Sequence, residues 1–438
     1  MAPNGWTPVR LGDIVEIKHG WPFKSELFSE ELSGRPIVVG IGNFRYTGGF
    51  RFSETSVKEY RGDFPKEYEL APGDVLLVMT CQTAGGEILG IPGRIPDDGR
   101  VYLHNQRLGK VVTRDGANVD HNYLYWLFLS PEFNRALVNT ASGTKILHTA
   151  PSRIEAFEFR LPSRQEQLAI SRILGALDDK IELNRRTSET LEAMARALFK
   201  SWFVDFDPVR AKEEGRDSGL PREIADLFPS RFVDSEIGKI PADWGVTRVD
   251  EEFNVTMGQS PPGETYNEVG EGLPFYQGRA DFGTRFPRRR VYCAAPTRFA
   301  KRGDTLISVR APVGDINMAT EHCAIGRGVA AARHKGGGRS YTYQVMRNLE
   351  DVFARFDAEG TVFGSISKKD FHGIPCLAPR PAIINAFEEV VSSIDSRIEI
   401  AAREGHTLAA LRNALLPKLI SGELRIMHAG IIAERATR

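Results

Sequence analysis

No run of apolar residues in this 438-residue chain approaches the ~18 that a membrane-spanning helix needs. The densest, Val75-Leu76-Leu77-Val78-Met79, is the length of one buried strand. The N-terminal Met1-Ala2-Pro3-Asn4-Gly5-Trp6 has neither a basic flank nor an apolar stretch, so export is not expected and a cytoplasmic location is. Cysteine is scarce. The four, Cys81, Cys293, Cys323 and Cys376, show no C-x-x-C spacing, which argues against a disulfide framework or a structural zinc and for a reducing compartment. Net charge is absent too, with 57 Lys+Arg against 57 Asp+Glu, so a nucleic-acid partner has to be argued locally. What is present is enough apolar material, 41% of residues, to fill real cores, and disorder as the dominant state is excluded.

The signatures of catalysis are also missing. A methyltransferase acting on exocyclic amines needs an Asn/Asp-Pro-Pro-aromatic turn; the nearest string, Ser260-Pro261-Pro262-Gly263, lacks both the acid or amide and the ring, and reads as a turn. No G-x4-G-K-[ST] exists to cradle phosphates, no G-x-S-x-G to present a nucleophile, and no H-E-x-x-H to hold zinc. Glu16-Ile17-Lys18 has a nuclease-like spacing, but Asp13 is too near to be a partner from a separate strand, so a surface strand is the better reading. His322-Cys323 reads as structural. The sequence thus assigns no catalytic residue and no metal ligand to the chain.

What is there is an internal repeat. At an offset of 217, Asp178-Asp179-Lys180-Ile181-Glu182 matches Asp395-Ser396-Arg397-Ile398-Glu399, Leu191 matches Leu408, Leu198 matches Leu415, Gly143-Thr144 matches Gly360-Thr361, and Pro162 matches Pro379. Upstream the offset drifts: Gly73-Asp74-Val75-Leu76 resembles Gly303-Asp304-Thr305-Leu306, and Trp6 and Gly20 resemble Trp244 and Gly258. Drifting offsets mean loops of different length in otherwise equivalent units. The chain therefore reads as two copies of one α+β module, each a globular part followed by a long helix.

The implied boundaries are a first module at 1–163, a central helix at 164–205, a connector at 206–240, a second module at 241–380, a distal helix at 381–425 and a tail at 426–438. The helices show alternating steps of four and three. One seam is Ile170, Leu174, Leu177, Ile181, Asn184, Ser188, Leu191, Ala195, Leu198 and Trp202; the other includes Phe387, Val391, Ile394, Ile398, Leu408, Arg412 and Leu415. Sustained 4-3 spacing is a coiled-coil seam, and two seams in one chain are most simply satisfied by each other. Asn184 and Ser188 either fix register or face a local gap. Gln165 to Phe203 would span about 58 Å as a helix.

Basic residues are unevenly placed. From Arg279 to Arg339 there are thirteen against four acids, the footprint of a phosphate-binding surface or, alternatively, of a solubilising face or a site for an acidic protein. The matching stretch of the first module, Arg35 to Arg114, is nearly balanced. Asn and Gln can pair with adenine edges and Arg with guanine, so the base-reading candidates are Asn43, Arg45, Gln82, Thr83, Asn105, Gln106 and Arg107, and in the second module Gln277, Arg279, Arg310 and Arg327. For each the plainer alternative is an ordinary loop residue. Phosphate candidates are Gly143, Thr144, Lys145, Arg288, Arg289, Arg290, Thr361, Ser365, Lys368 and Lys369. Phe199, Trp202 and Phe203 are candidates for a subunit interface, with core packing as the alternative.

Five strings together resemble the specificity (S) subunit of type I restriction–modification systems: Ala141-Ser142-Gly143-Thr144; Leu161-Pro162-Ser163-Arg164-Gln165-Glu166-Gln167; Leu198-Phe199-Lys200-Ser201-Trp202-Phe203-Val204-Asp205-Phe206-Asp207; Asp234-Ser235-Glu236-Ile237-Gly238-Lys239-Ile240-Pro241; and Leu415-Leu416-Pro417-Lys418-Leu419-Ile420-Ser421-Gly422-Glu423-Leu424. In the second module Arg380-Pro381-Ala382-Ile383 replaces the Gln-Glu-Gln element. The resemblance implies two target recognition domains joined by antiparallel helices with pseudo-twofold symmetry, each domain reading half of a split asymmetric site on double-stranded DNA. It implies no cofactor in this chain. Two modification subunits would methylate adenine with S-adenosylmethionine, and restriction subunits would use ATP and Mg²⁺. The competing classes are a standalone methyltransferase or nuclease, and a coiled-coil DNA scaffold indifferent to sequence.

Overall fold

The computed structural model describes residues 5–52, 57–358, 364–424 and 426. The chain divides into two compact units, Met1–Arg185 with Arg403–Arg438, and Arg186–Ala402. Both long helices are divided by this boundary. The first, Arg164–Phe203, gives its opening half to the first unit; the second, Pro381–Ile420, gives its opening half to the second unit. The sequence-based scheme had set the helices apart as separate segments. Antiparallel pairing is the reason for the difference, because the start of one helix lies against the end of the other.

In the first unit, Val75–Val78 is buried on both faces and occupies an inner position of a four-stranded antiparallel sheet. The order is Val15–His19, Leu108–Thr113, Val75–Val78, Pro92–Arg94. A five-stranded sheet runs Phe28–Ser29, Lys58–Tyr60, Ile37–Val39, Tyr102–His104, Glu69–Leu70, with Ile37–Val39 parallel to Tyr102–His104. Thr7–Arg10 pairs with Glu158–Leu161, which leads into the first long helix. Ser163 and Glu166 form a capping box there: the Ser163 hydroxyl accepts from the Glu166 N–H at 3.4 Å, and the Glu166 carboxylate accepts from the Ser163 N–H at 3.1 Å. One turn on, the fully buried Gln167 accepts from the Asp120 N–H (2.7 Å) and donates to the Pro162 carbonyl (2.9 Å), fastening helix to module.

The second unit repeats this wiring strand for strand. Its four-stranded sheet is Phe253–Met257, Val329–His334, Thr305–Val309, Val313–Met318. Its five-stranded sheet is Tyr266–Asn267, Tyr292–Cys293, Leu273–Tyr276, Cys323–Ile325, Phe299–Ala300, again with one parallel pair at Leu273–Tyr276 and Cys323–Ile325. Gly245–Arg248 pairs with Pro375–Ala378. The second long helix opens on Pro381, whose fixed φ and missing N–H suit a first helical position. The α+β repeat legible in the sequence is therefore present in the topology.

The seam residues are inside. Ile170, Leu174, Leu177, Val391, Ile398, Leu408 and Leu415 are buried, while Ile181, Leu191, Leu198 and Ile394 are half-buried. In the first unit Asn184 meets a polar partner, donating to Glu404 at 2.8 Å, and Lys180 pairs with the same carboxylate at 3.5 Å. Arg412, at a seam position, pairs with Asp178. A polar seam contact of this kind fixes register at some cost in stability.

Of the two readings of the aromatic trio, subunit interface or core packing, the structure shows the packing. Phe199, Trp202 and Phe203 are not exposed. They form an aromatic cluster with Phe387, Tyr341 and Phe228 inside the second unit, because the end of the first helix packs against the start of the second. The connector has structure of its own. Asp207–Glu213 and Arg222–Ala225 are helical, Phe232–Ser235 and Gly238–Pro241 form a hairpin, and Val209, Phe228 and Ile240 enter the same core. No helix among the described residues is long and apolar enough to cross a membrane.

Candidate nucleic-acid interface

Three exposed segments converge in the first unit. Past Val75–Val78 the chain continues to Thr80–Cys81, which pairs with Leu147–His148. The Met79 N–H donates to the Arg107 carbonyl at 2.9 Å, drawing in the turn Asn105-Gln106-Arg107. Ser142 and His148 exchange backbone hydrogen bonds of 2.9 and 2.8 Å, closing the hairpin that carries Gly143, Thr144 and Lys145. Gly143 has φ +103°, and a Cβ there would sit 2.0 Å from the Ile146 carbonyl oxygen, so this turn requires glycine. Gln82, Thr83, Arg107, Gly143, Thr144 and Lys145 are exposed at this junction.

The second unit builds the same junction from different side chains. The Val309 N–H donates to the Gly328 carbonyl at 2.9 Å, seating the turn Gly326-Arg327-Gly328. The Gly326 N–H donates to the Tyr276 carbonyl at 2.8 Å, which sets neighbouring Gln277 beside that turn. Arg310 forms an antiparallel bridge with Ser365, and Lys368 and Lys369 open the short helix Lys368–His372 just beyond. Gln277, Arg310, Arg327, Ser365, Lys368 and Lys369 are exposed, and Arg310 and Arg327 have no carboxylate partner among the described residues. Thr361 lies outside the described residues. A close backbone approach supports both junctions: a Cβ on Gly20 would fall 2.2 Å from the Asn105 carbonyl oxygen, and one on Gly258 2.1 Å from that of Gly326.

Other candidates turn out to serve the scaffold. Asn43 is only 2% exposed; it accepts from the Gly40 N–H (2.8 Å) and donates to the Arg51 carbonyl (3.1 Å), so it holds a turn and reads nothing. Arg45 is half-buried and pairs with Glu182 of the first helix at 3.6 Å. Asn105 and Gln106 are half-buried, and the Asn105 side-chain Oδ1 accepts from the Arg107 N–H, leaving Arg107 as the accessible residue of that turn. The Thr83 hydroxyl donates to Glu87, holding that carboxyl below the ordinary range.

The linear charge count overstates the free positive surface of the second module. Arg279 pairs with Asp315 (2.9 Å), Arg289 with Glu321, Arg290 with Asp281 (3.4 Å) and Arg302 with Glu399 (2.6 Å). Arg288 is exposed with no carboxylate partner among the described residues. Arg285, counted in that stretch, is buried between Glu192 and Asp395. Counting along a sequence cannot see partners supplied by other strands or by the helices. Among the described residues no group of three His, Cys, Asp or Glu could hold a metal ion.

Residues 3–193 match the family model described as the type I restriction modification DNA specificity domain. A relative named as the type I restriction enzyme MjaX specificity subunit, from Methanocaldococcus jannaschii, is 31% identical and aligns over 97% of this chain and 95% of its own length. The chain belongs to the type I restriction enzyme specificity subunits. The HindI specificity subunit of Haemophilus influenzae is 24% identical, over 96% of this chain and 100% of the relative. In fold, the chain is similar to the crystal structure of a type I restriction–modification S subunit from M. genitalium, with a TM-score of 0.60 at 16% identity, covering 95% of this chain and 97% of that one. A specificity subunit carries no catalytic step of its own.

Proposed function

We propose that this specificity subunit supplies the DNA address for a type I restriction–modification complex. Each unit reads one half of a split, non-palindromic site through its loop junction, and the helices, each continuous through both units, act as the spacer. The observation that carries this reading is the repeated junction. One backbone scaffold presents Gln82, Arg107 and Lys145 in the first unit but Gln277, Arg310 and Arg327 in the second. In backbone register Arg327 stands where the first unit has Gln106, and Gly328 where it has Arg107; one scaffold with different side chains at matching positions suits two different half-sites, since amide and guanidinium groups favour different base edges. Lys145, Lys368 and Lys369 suit phosphate contacts, which position without specifying.

Chemistry belongs to partners in this reading. Two modification subunits would bring S-adenosylmethionine and methylate adenine, restriction subunits would bring ATP and Mg²⁺, and this chain would bind none of the three. Assembly would take place in the cytoplasm. Methylome sequencing of cells with and without the gene tests the reading. Loss of a single split, adenine-methylated motif is expected; an unchanged methylome in cells that otherwise express active modification subunits would contradict it.

A further inference from the structure

The loop from Gln277 to Arg290 is anchored at two points. At its mouth, buried Asp281 accepts from the Gln277 N–H at 2.7 Å, its carbonyl accepts from the Arg288 N–H at 2.7 Å, and its carboxylate pairs with Arg290. Further in, the Asn317 side chain both accepts from the Gly283 N–H and donates to the Gly283 carbonyl, each at 3.0 Å. At its far end is Arg285, 3% exposed. One guanidinium nitrogen meets Glu192 of the first long helix at 2.6 Å, another meets Asp395 of the second at 2.6 Å, and the guanidinium lies 4.0 Å from the ring centre of Tyr343. Arg347 approaches Glu192 at 3.7 Å, so two cations face two carboxylates.

The first unit has the loop but not the anchor. Asn43 caps its mouth as Asp281 does, yet its link to the helices is Arg45 to Glu182 at 3.6 Å, with both side chains about a third exposed. Such a pair contributes little. Asp178, the residue that the 217 offset equates with Asp395, is taken by Arg412 of the other helix rather than by the loop. We infer that Arg285 is a positioning residue for DNA recognition by the second unit, tying its reading loop to both long helices at once. The planar guanidinium meets the two carboxylates through separate nitrogens held in a fixed fork, a geometry that the compact ammonium of lysine does not reproduce. Gln277 at the mouth of that loop is thereby fixed in position relative to the helix pair.

The inference rests on the two-headed reading above. Its test uses the full chain assembled with its modification subunits, and duplexes carrying the split motif found by methylome sequencing, with single base changes in either half. Arg285→Lys is expected to lower discrimination in the second unit's half-site tenfold or more and to leave the first half-site within twofold. Arg45→Gln is expected to leave both within twofold. If Arg285→Lys prevents folding, the neutral triple variant R285Q/E192Q/D395N replaces it, with the same half-site-specific loss expected. Equal losses in both halves, or full discrimination in a destabilised protein, would overturn the inference. A wild-type complex that discriminates in neither half would instead overturn the two-headed reading.

Discussion

Replacing Trp202 with Ala is expected to cost the second unit about 3–5 kcal/mol, the range for deleting a large buried aromatic side chain. The indole is 1% exposed, edge-on to Phe228 at 5.2 Å and to Phe387 at 5.8 Å, with Phe203 alongside. Phe387 belongs to the second long helix and Phe228 to the connector, so the ring closes a core built from three stretches of chain. A loss of this size is a large share of the roughly 5–15 kcal/mol that holds an ordinary domain. Amide-exchange protection of Thr305–Val309 reports the second unit alone and is expected to fall accordingly in the isolated chain. Unchanged protection with weakened partner binding would mean that the ring serves an interface after all.

A second large effect is expected from pH. His104 lies within the first unit, 2% exposed, its Nε2–H donating to the Leu108 carbonyl at 2.9 Å. Burial pushes this imidazole down from 6.5 to about 4 against the opposing pull of its Leu108 hydrogen bond, with Lys110 and His19 adding to the shift and Asp74 also opposing it. The unfolded chain takes up the proton near pH 6.5 and the folded chain only near 4. Stability from the neutral ring is therefore complete above about pH 6.5 and lost as pH falls toward 4, by on the order of 3 kcal/mol at most. Protection of Leu108–Thr113 should decline across that window in the wild type and stay flatter in His104→Gln, which keeps a donor without a proton to gain. Burial depresses His121 as well, but that contribution is common to both proteins. Identical pH profiles would refute the assignment.

Much of this architecture was legible because its signals are periodic or duplicated. The 4-3 spacing names seam residues that are buried or half-buried, and the repeat, at its drifting offsets, points to two modules whose sheets share one strand order. Burial of single residues was less legible. Asn43 has the chemistry of a base reader and the position of a turn cap. Arg285 looks like any member of a basic run until Glu192 and Asp395, distant in sequence, are seen beside it. Phe199, Trp202 and Phe203 end a helix whose partner face depends on which end of the other helix it meets, and spacing alone does not state that. The surviving candidates, among them Gln82, Arg107, Arg310 and Arg327, share a place in the topology rather than a motif. They sit where an inner strand of the four-stranded sheet leaves its unit's core.

Exchanging residues 1–163 for the corresponding module of another specificity subunit, then sequencing the methylome, tests the central claim most directly. Independent reading by two heads predicts a hybrid motif: one half replaced by the donor's, the other half and the spacing between them unchanged. A motif altered in both halves, or in neither, would contradict it.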